Sequence, residues 1–300
     1  MDERQLEYFV QVAEELNFTR AAATLSVVQS TVSASVRALE KDLKTQLVDR
    51  TGKQVRLTEA GRAFLPEAKA ALVILDRARS IVGDTDSGLR GTVRVGTLSG
   101  MTALNTPGLA REFSHLYPKV NFYLETSPSG SSGLLDKVRD GTLDVAFVSV
   151  VRPSDAAGIE SRPLRTLPLR VLLPPGHSLS DRTSIRLADI AADRFVDMPR
   201  GFGIRTLIDD EFRRVGHVRT IAVQVADLTT IPDFVAAGLG TAIVPDLTRS
   251  AELRLSSIVL DGSDLLWTLS AVWRARTPPS RAAEAVLSLA QEFLSEQWVY

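Results

Sequence analysis

The feature that most constrains the fold is a pair of short helical patterns close together near the N-terminus. Residues 20–25 include three successive alanines, which leave room for another helix to cross close by. A tight turn follows at residues 26–28, and a third helix is expected from about Ser30, a favourable N-cap residue. Two short helices joined by such a turn predict a helix-turn-helix. The buried stripe of the third helix is predicted to consist of Val32, Val36, Leu39 and Leu43.

Helical and hairpin patterns flank this motif. Apolar residues at helical spacing predict a first helix over residues 6–16, and Thr19 is the expected N-cap of the second helix. Two short β-capable runs lie on either side of residues 51–53 and predict a hairpin over residues 46–57. That hairpin would form a wing beside the helix-turn-helix.

A long helix is predicted next, from a cap at Thr58 to about Gly83. Its apolar residues alternate spacings of four and three, which is the a/d pattern of a coiled coil. A helix packed wholly in the core is the alternative, although the stripe is narrow for that. A polar stretch without periodicity, residues 84–88, then marks a domain boundary. The predicted seam consists of Phe64, Ala68, Ala71, Leu75, Ala78 and Val82.

Strand-like and helical runs alternate beyond this boundary, which favours parallel strands with helical crossovers. One series fills residues 89–162 and a second fills about 163–267, so two α/β lobes are expected. Residues 268–300 are expected to rejoin the first lobe, which would leave a cleft at a two-strand hinge. The predicted domains are therefore 1–58, 59–88 and 89–300.

Composition excludes several classes of protein. Three hundred residues exceed one hydrophobic core, so several globular units are expected. The chain has no cysteine, which excludes disulfides, thiolate zinc sites and a cysteine nucleophile and fits a reducing, cytoplasmic setting. No stretch approaches the roughly 18 apolar residues of a membrane span, and the acidic start differs from a secretory signal. We therefore expect a protein that is neither exported nor embedded in a membrane.

The long motif over residues 19–43, with Leu47, Arg50 and residues 57–61, closely resembles the signature of LysR-type transcriptional regulators. The likeness continues through residues 90–96, 113–118, 140–146 and 235–240. Ser30, Lys44 and Val48 stand where the family usually has proline, glycine and phenylalanine.

This resemblance implies an α/β protein with a winged helix-turn-helix, a long linker helix and a two-lobed, type 2 periplasmic-binding-protein-like effector domain. It also implies dimers formed by the linker helix and commonly tetramers on DNA. A dimer would present two DNA-binding heads, so the expected operator is an inverted repeat in double-stranded DNA.

The candidate DNA contacts lie on the third helix and the wing. Residues 1–19 carry one Arg against five acidic residues (−4), whereas residues 20–58 carry seven Lys or Arg against three (+4). Gln29 and Arg37 are the candidates for base contacts, and the hydroxyls of Thr31 and Ser33 suit phosphate oxygens. A solvated surface, or helix capping by Ser30 and Thr31, is the alternative. The full predicted set is Gln29, Ser30, Thr31, Ser33, Ala34, Arg37, Arg50, Lys53 and Arg56.

The candidate effector contacts lie in loops that follow strands, because ligands of open α/β sheets bind at the carboxyl ends of strands. The hydroxyls and the glycine of the first loop, residues 98–102, suit a carboxylate or a similar anion. An aromatic compound, an amino acid, an organic acid and an inorganic anion would all fit such a cleft. The resemblance places two of the loops beside the cleft, while Ser149 and Thr229 equally fit a cap or a core hydroxyl. The predicted set is Ser99, Gly100, Met101, Thr102, Ser129, Gly130, Ser131, Ser149, Gly201, Phe202 and Thr229.

Two other classes of protein remain as alternatives. An enzyme would need a catalytic set, but the histidines at 115, 177 and 217 lack metal-ligand spacing and no nucleophile elbow or phosphate-binding loop is present. A solute-binding protein would suit the two-lobed region but not the attached helix-turn-helix. We therefore expect no cofactor, no metal and no catalysis. The expected mechanism is that an effector stabilises one lobe arrangement, which changes dimer packing and how bent DNA is presented to RNA polymerase.

Overall fold

The chain divides into two compact units, Met1–Ser87 and Gly88–Tyr300. This division does not test the narrower domain limits given above, which stay predictions. In the helix over residues 59–83, the structure describes the backbone throughout but not the side chains of residues 76–77 and 79–83. The computed structural model describes residues 1–50, 55–83, 89–100, 102–149, 151, 155, 157–246, 253, 255–263, 265–275 and 278–294.

The first unit begins with three helices whose caps differ in part from the prediction. Asn17, and not Thr19, caps the second helix, because its side-chain oxygen accepts hydrogen bonds from the Thr19 and Arg20 amides. The third helix begins one residue before Ser30, and its N-cap, Val28, makes no side-chain capping bond. The predicted caps at Thr19 and Ser30 are therefore wrong. The helices are α1 (Glu3–Glu15), α2 (Phe18–Thr24) and α3 (Gln29–Leu43).

The predicted apolar stripe of α3 is confirmed. Val32, Val36 and Leu39 are fully buried and Leu43 is half-buried against the same core. The wing is confirmed as an antiparallel pair, in which strand β1 (Val48–Asp49) lies beside strand β2 (Arg56–Leu57). The turn that joins them, residues 51–54, is outside the described residues.

The long helix α4 (Glu59–Gly83) begins where the sequence predicts, because Thr58 Oγ1 accepts a hydrogen bond from the Gly61 amide at 3.0 Å. Its predicted apolar seam is divided between two environments. Phe64, Ala68 and Ala71 pack against the core of the first unit, and the Phe64 ring lies 5.4 Å from Phe9. Farther along α4, Ile74, Leu75 and Ala78 are exposed, and the side chain of Val82 is outside the description.

The second unit is the predicted mixed α/β fold. Its first lobe has three parallel strands in the order β4-β3-β5, with helices as crossovers. These elements are β3 (Gly91–Leu98), α5 (Thr106–Leu116), β4 (Val120–Ser127), α6 (Gly130–Asp140) and β5 (Val145–Ser149).

Two long adjacent strands connect the lobes. Strand β12 (Leu266–Arg274) lies antiparallel to both β5 and β6 (Ile159–Leu173). Beyond Pro168, β6 pairs instead with two strands of the second lobe. The chain thus passes between the lobes on neighbouring strands. The remaining elements are β7 (Ser184–Ile185), β8 (Arg194–Asp197), α7 (Gly203–Arg214), β9 (Thr220–Gln224), α8 (Ile231–Ala236), β10 (Ala242–Pro245), β11 (Ser256–Leu260) and α9 (Arg281–Leu289).

A buried ion cluster supports the second lobe. The Arg219 guanidinium lies 5.1 Å from the centres of both the Phe195 and Phe212 rings. It contacts Asp197 at 2.7 Å and donates a 2.5 Å hydrogen bond to Asp209. Aromatic faces and two carboxylates together compensate a guanidinium that is almost completely withdrawn from water.

The two carboxyls of this cluster are shifted in opposite directions. Burial raises the pKa of Asp197 above its usual value, even though Arg219 opposes the shift. Burial also opposes ionisation of Asp209, but hydrogen bonds from Arg219 and Arg205 outweigh it and lower the pKa of Asp209. Arg205 in addition donates to the Met198 carbonyl at 3.0 Å, so the cluster is bonded to the backbone after β8.

Replacing Asp209 with Asn should destabilise the second unit by about 2 kcal/mol near neutral pH, because charge-assisted hydrogen bonds to two arginines are removed. Since the pKa of Asp209 is lowered from 3.8 on folding, its stabilisation exists above that pH and is lost as the pH falls through the folded value. Urea unfolding at several pH values should therefore show a difference from the unsubstituted protein that is constant from about pH 8 to 5 and shrinks below about pH 4.

Asp210→Asn is the matched control, because Asp210 is an exposed carboxylate on the same helix that pairs with Arg213. It should change the free energy of unfolding by less than about 0.5 kcal/mol. Equal destabilisation in the two variants, or a D209N effect that grows in acid, would contradict this account.

Candidate functional site

One face of α3 is free of the core. Because Val32, Val36 and Leu39 are buried, residues between them point away from α1 and α2, on which α3 packs. Ser33 is half-buried. The face thus presents an amide, hydroxyls and a guanidinium on a single helix, the chemistry that base edges and phosphates of DNA accept. Its exposed members are Gln29, Ser30, Thr31, Ala34 and Arg37.

The predicted basic residues of the wing differ in their surroundings. Arg56 is exposed on β2, opposite Asp49. Arg50 is partly buried and bonds to Glu40 at 2.9 Å, while its guanidinium lies 4.9 Å from the centre of the Phe18 ring. Lys53 lies outside the described residues. Arg56 is therefore the described wing residue whose charge faces water.

The predicted cleft loops of the two lobes contact each other at two places. A Cβ built at Gly100, where φ is +64°, would collide with Asp227 Oδ1 and lie 3.1 Å from the Thr229 methyl. A Cβ built at Gly130, also at φ +64°, would lie 2.9 Å from the Phe202 ring. At both positions a glycine is required by backbone conformation and by the close approach of the other lobe.

A hydrogen bond accompanies the second contact. Ser132 Oγ donates to the carbonyls of Gly201 and Ser129, each at 3.1 Å. Ser129, Gly130, Gly201 and Phe202 thus form one group across the lobes. Phe202 is buried against Gly130.

Other predicted effector residues serve the first lobe itself. Ser131 Oγ donates to the Ser149 carbonyl at 2.9 Å, and both side chains are buried. This pair joins the start of α6 to the end of β5. Ser99 is exposed, Thr102 is half-buried, and Met101 lies outside the described residues.

Two further residues lie at the contact between the lobes although the sequence pattern does not single them out, and a third, Thr97, lies near the carboxyl end of β3. Asp227 lies against Gly100 and caps a short helical turn by accepting hydrogen bonds from the Thr229 amide and hydroxyl. The Ser132 hydroxyl donates a hydrogen bond from the first lobe to the Gly201 carbonyl of the second. Thr97, near the end of β3, has a buried hydroxyl without a hydrogen-bond partner among the described residues. An Asp two residues before a Thr is a capping signal that is present in the sequence. The positions of Ser132 and Thr97 depend on tertiary packing.

Two helices begin at the contact between the lobes without side-chain caps. The N-caps of α6 and α7 are Ser129 and Phe202, and neither makes a capping hydrogen bond through its side chain. Free amides at a helix N-terminus, together with the helix dipole, favour negative charge. The electrostatics of this place therefore suit an anion.

Two family models match the chain. Residues 3–62 match a bacterial regulatory helix-turn-helix protein of the lysR family, and residues 86–295 match the LysR substrate binding domain. The chain belongs to the LysR family of bacterial transcriptional regulators. The predicted winged helix-turn-helix and two-lobed α/β fold are thereby confirmed.

Relatives of this LysR-family chain have names that agree with the assignment. The transcriptional dual regulator GltC of Bacillus subtilis is 32% identical over 249 residues, which are 83% of this chain and 82% of GltC. The regulator ShiR of Corynebacterium glutamicum is 34% identical over 245 residues, 81% of this chain and 82% of ShiR. The chain is therefore a DNA-binding transcriptional regulator, and the alternatives of an enzyme or a transport protein are not supported.

Solved structures extend the likeness to the whole chain. A full-length OxyR from Pseudomonas aeruginosa is 26% identical, with a TM-score of 0.68 over 97% of this chain and 98% of that one. Full-length CbnR in a complex with its target DNA is 25% identical, with a TM-score of 0.66 over 97% of this chain and 99% of CbnR. The shared architecture includes both the helix-turn-helix and the two-lobed domain.

The described residues contain neither a membrane-spanning helix nor a metal-binding cluster. None of the helices there is long and apolar enough to cross a membrane. No group of three or more acidic residues and histidines lies close enough to hold a metal ion in that same part of the chain.

Proposed function

We propose that this regulator binds an inverted-repeat operator in double-stranded DNA through α3, and that an anionic effector between the two lobes controls it. The observation that carries the first half is the free face of α3. Its polar side chains face water while the apolar stripe behind them holds the helix in the core. The structure of CbnR with its target DNA supports a DNA-binding role for this architecture, and helix-turn-helix proteins place the second helix of the motif in a major groove.

Different residues of this face are assigned to different parts of the DNA. Gln29 can bond adenine and Arg37 can bond guanine through paired hydrogen bonds, so these two residues recognise base sequence. Thr31, Ser30 and Ser33 suit phosphate oxygens near the helix N-terminus, and Ala34 is small enough to allow close approach. Arg56 and Lys53 of the wing add phosphate contacts that weaken with salt.

Substituting Arg37 should separate specific from nonspecific binding. Arg37→Ala should weaken operator binding by about 10- to 100-fold and leave binding to random DNA within about threefold, because a bidentate base contact is worth about 1–3 kcal/mol. Arg56→Ala is the matched control, in which operator and random DNA should lose affinity by the same factor. Fluorescence anisotropy titrations with both DNAs measure this. If R37A, like R56A, lost affinity for the operator and for random DNA by the same factor, Arg37 would not recognise base sequence.

We further infer that the second half of α4 joins two copies of the chain. Ile74 and Leu75 are 52% and 39% exposed in a helix whose first half is packed on its own core. An exposed apolar seam of a/d spacing favours a partner helix of the same kind. Two copies would place two recognition helices on the two halves of an operator, and pairs of dimers would form the tetramer expected for the family.

A charge in this seam should prevent dimer formation. Leu75→Glu should shift the protein towards monomer at micromolar concentration, because pairing the helices would bury two carboxylates without partners. Ala63→Glu introduces the same side chain at an exposed position earlier in α4 and should leave the dimer intact. Sedimentation velocity distinguishes the species. An L75E protein that dimerises as tightly as A63E would show that the seam lies elsewhere.

The effector is assigned to the place where the lobes meet. The uncapped N-termini of α6 and α7 lie on the two sides of the contact between Gly130 and Phe202, and hydroxyls of Ser129, Ser99, Thr102 and Thr229 belong to the surrounding loops. These groups suit a small carboxylate or inorganic anion. Binding would stabilise one arrangement of the lobes, alter dimer packing, and so change how the operator is bent and offered to RNA polymerase.

Adding a methyl group at Gly130 tests this assignment. Gly130→Ala should abolish the rise in unfolding temperature that an effector anion produces, because the new Cβ would press on Phe202 and hold the lobes apart. Gly176→Ala is the control, since Gly176 has a similar φ of +77° with no atom within 4 Å of the added methyl. Thermal unfolding with a panel of small organic and inorganic anions provides the measurement. An anion that shifts both variants equally binds outside this cleft.

A further inference from the structure

We propose that Glu40 and Arg50 form a clamp that positions the wing against the recognition helix, and that Arg50 acts through this clamp rather than by touching DNA. This inference rests on the DNA-binding function proposed above. Glu40 belongs to α3, and Arg50 follows β1 directly. They are positioning residues in this proposal, because both side chains bind groups inside the protein.

Glu40 uses both carboxylate oxygens for the wing. Its Oε1 accepts hydrogen bonds from the Leu47 and Val48 amides, each at 2.9 Å, and its Oε2 accepts one from Arg50 Nη2, also at 2.9 Å. The Glu40 side chain is only 12% exposed. A partly buried carboxylate with three charge-assisted donors is a stronger attachment than a surface ion pair.

Arg50 extends the attachment to α2. Its guanidinium lies 4.9 Å from the centre of the Phe18 ring, at the start of α2. Both the charge and the plane of Arg50 are thus used inside the protein, by Glu40 and by Phe18. A lysine would keep the charge but lose the flat surface that stacks on the ring.

The same short segment is held from its other side by α4. Thr58 Oγ1 donates to the Gln46 carbonyl at 2.7 Å, and the Thr58 amide donates to the Leu47 carbonyl at 3.0 Å. A Cβ at Gly61 would collide with that Leu47 carbonyl. The base of the wing therefore has its carbonyls bonded to Thr58 at the start of α4 and its amides bonded to α3 through Glu40.

The consequence concerns Arg56, the exposed cation among the described residues of the wing. Arg56 lies opposite Asp49 in the hairpin. Asp49 follows Val48, whose amide donates a hydrogen bond to Glu40. If the Glu40 attachment is removed, the hairpin can move relative to α3 and Arg56 moves with it. A phosphate contact by Arg56 and a base contact by Arg37 would then no longer be made together at full strength.

A double-mutant cycle separates the clamp from a direct phosphate contact by Arg50. The variants are Glu40→Gln, Arg50→Gln and their combination, with Arg50→Lys added as a test of the cation alone. Asp42→Asn is the control for removing an acid from α3, because Asp42 is exposed and pairs only with the N-terminal ammonium among the contacts described. Operator affinity is measured at several salt concentrations with the full-length protein.

The clamp predicts that E40Q, R50Q and the double variant each bind about tenfold more weakly, so that the effects do not add. It predicts that R50K is as weak as R50Q. The slope of log affinity against log salt should become shallower by about 0.9 for each phosphate that the wing no longer reaches. D42N should bind as well as the unsubstituted protein or slightly better, because it removes negative charge near DNA.

A direct phosphate contact predicts the opposite pattern. E40Q would then bind DNA more tightly, because Arg50 would be released, and R50K would keep nearly full affinity. Either result, or strictly additive effects in the double variant, would overturn the clamp.

Hydrogen exchange of the protein without DNA gives a second, independent measurement. The Leu47 and Val48 amides should exchange at least about tenfold faster in E40Q than in D42N, while amides in the middle of α3 should be unchanged. Unchanged exchange at Leu47 and Val48 would overturn the clamp even if DNA affinity fell. Because this measurement needs no operator, a protein that failed to bind DNA would disprove the proposed function and still test the clamp.

Discussion

Burial of Val32, Val36 and Leu39 fixes the rotation of α3 about its axis, and the DNA-binding role proposed for the opposite face depends on that rotation. Each fully buried aliphatic side chain contributes about 1.5–3 kcal/mol relative to exposure, so turning the helix by half a revolution would cost several times that amount. The face that carries Gln29 and Arg37 is therefore held outward before any DNA is present. A rigid helix on a packed core lets a few side chains meet base edges without first being ordered.

Parts of this first unit follow from the sequence because their causes are local. The spacing of the α3 stripe, the cap at Thr58 and the wing strands all depend on residues within a few positions of each other. The errors have a local cause as well. Asn17 and Thr19 are both capping residues, and the structure uses Asn17 because its carboxamide oxygen reaches two amides of the first turn.

Other parts could not be predicted because they depend on residues far apart in the chain. The contacts of Gly100 with Asp227 and of Gly130 with Phe202 join loops from different lobes, and no spacing pattern connects them. Arg219, buried between two aromatic rings and beside two carboxylates, has no sequence signal that separates it from an exposed arginine. A cation near a turn, such as Arg50, suggests a DNA contact from sequence alone, whereas its partners Glu40 and Phe18 lie on two other helices.

We propose that the chain joins a fixed DNA-reading head to an effector domain whose lobes rearrange, and that the head recognises a defined operator. DNase footprinting of the full-length protein on the DNA upstream of its own gene tests this most directly, at about 0.15 M salt, where nonspecific binding is weak. We predict a protected inverted repeat whose half-sites are separated by about one helical turn or a multiple of it. Protection spread uniformly along the fragment, with no repeat at any protein concentration, would contradict the claim.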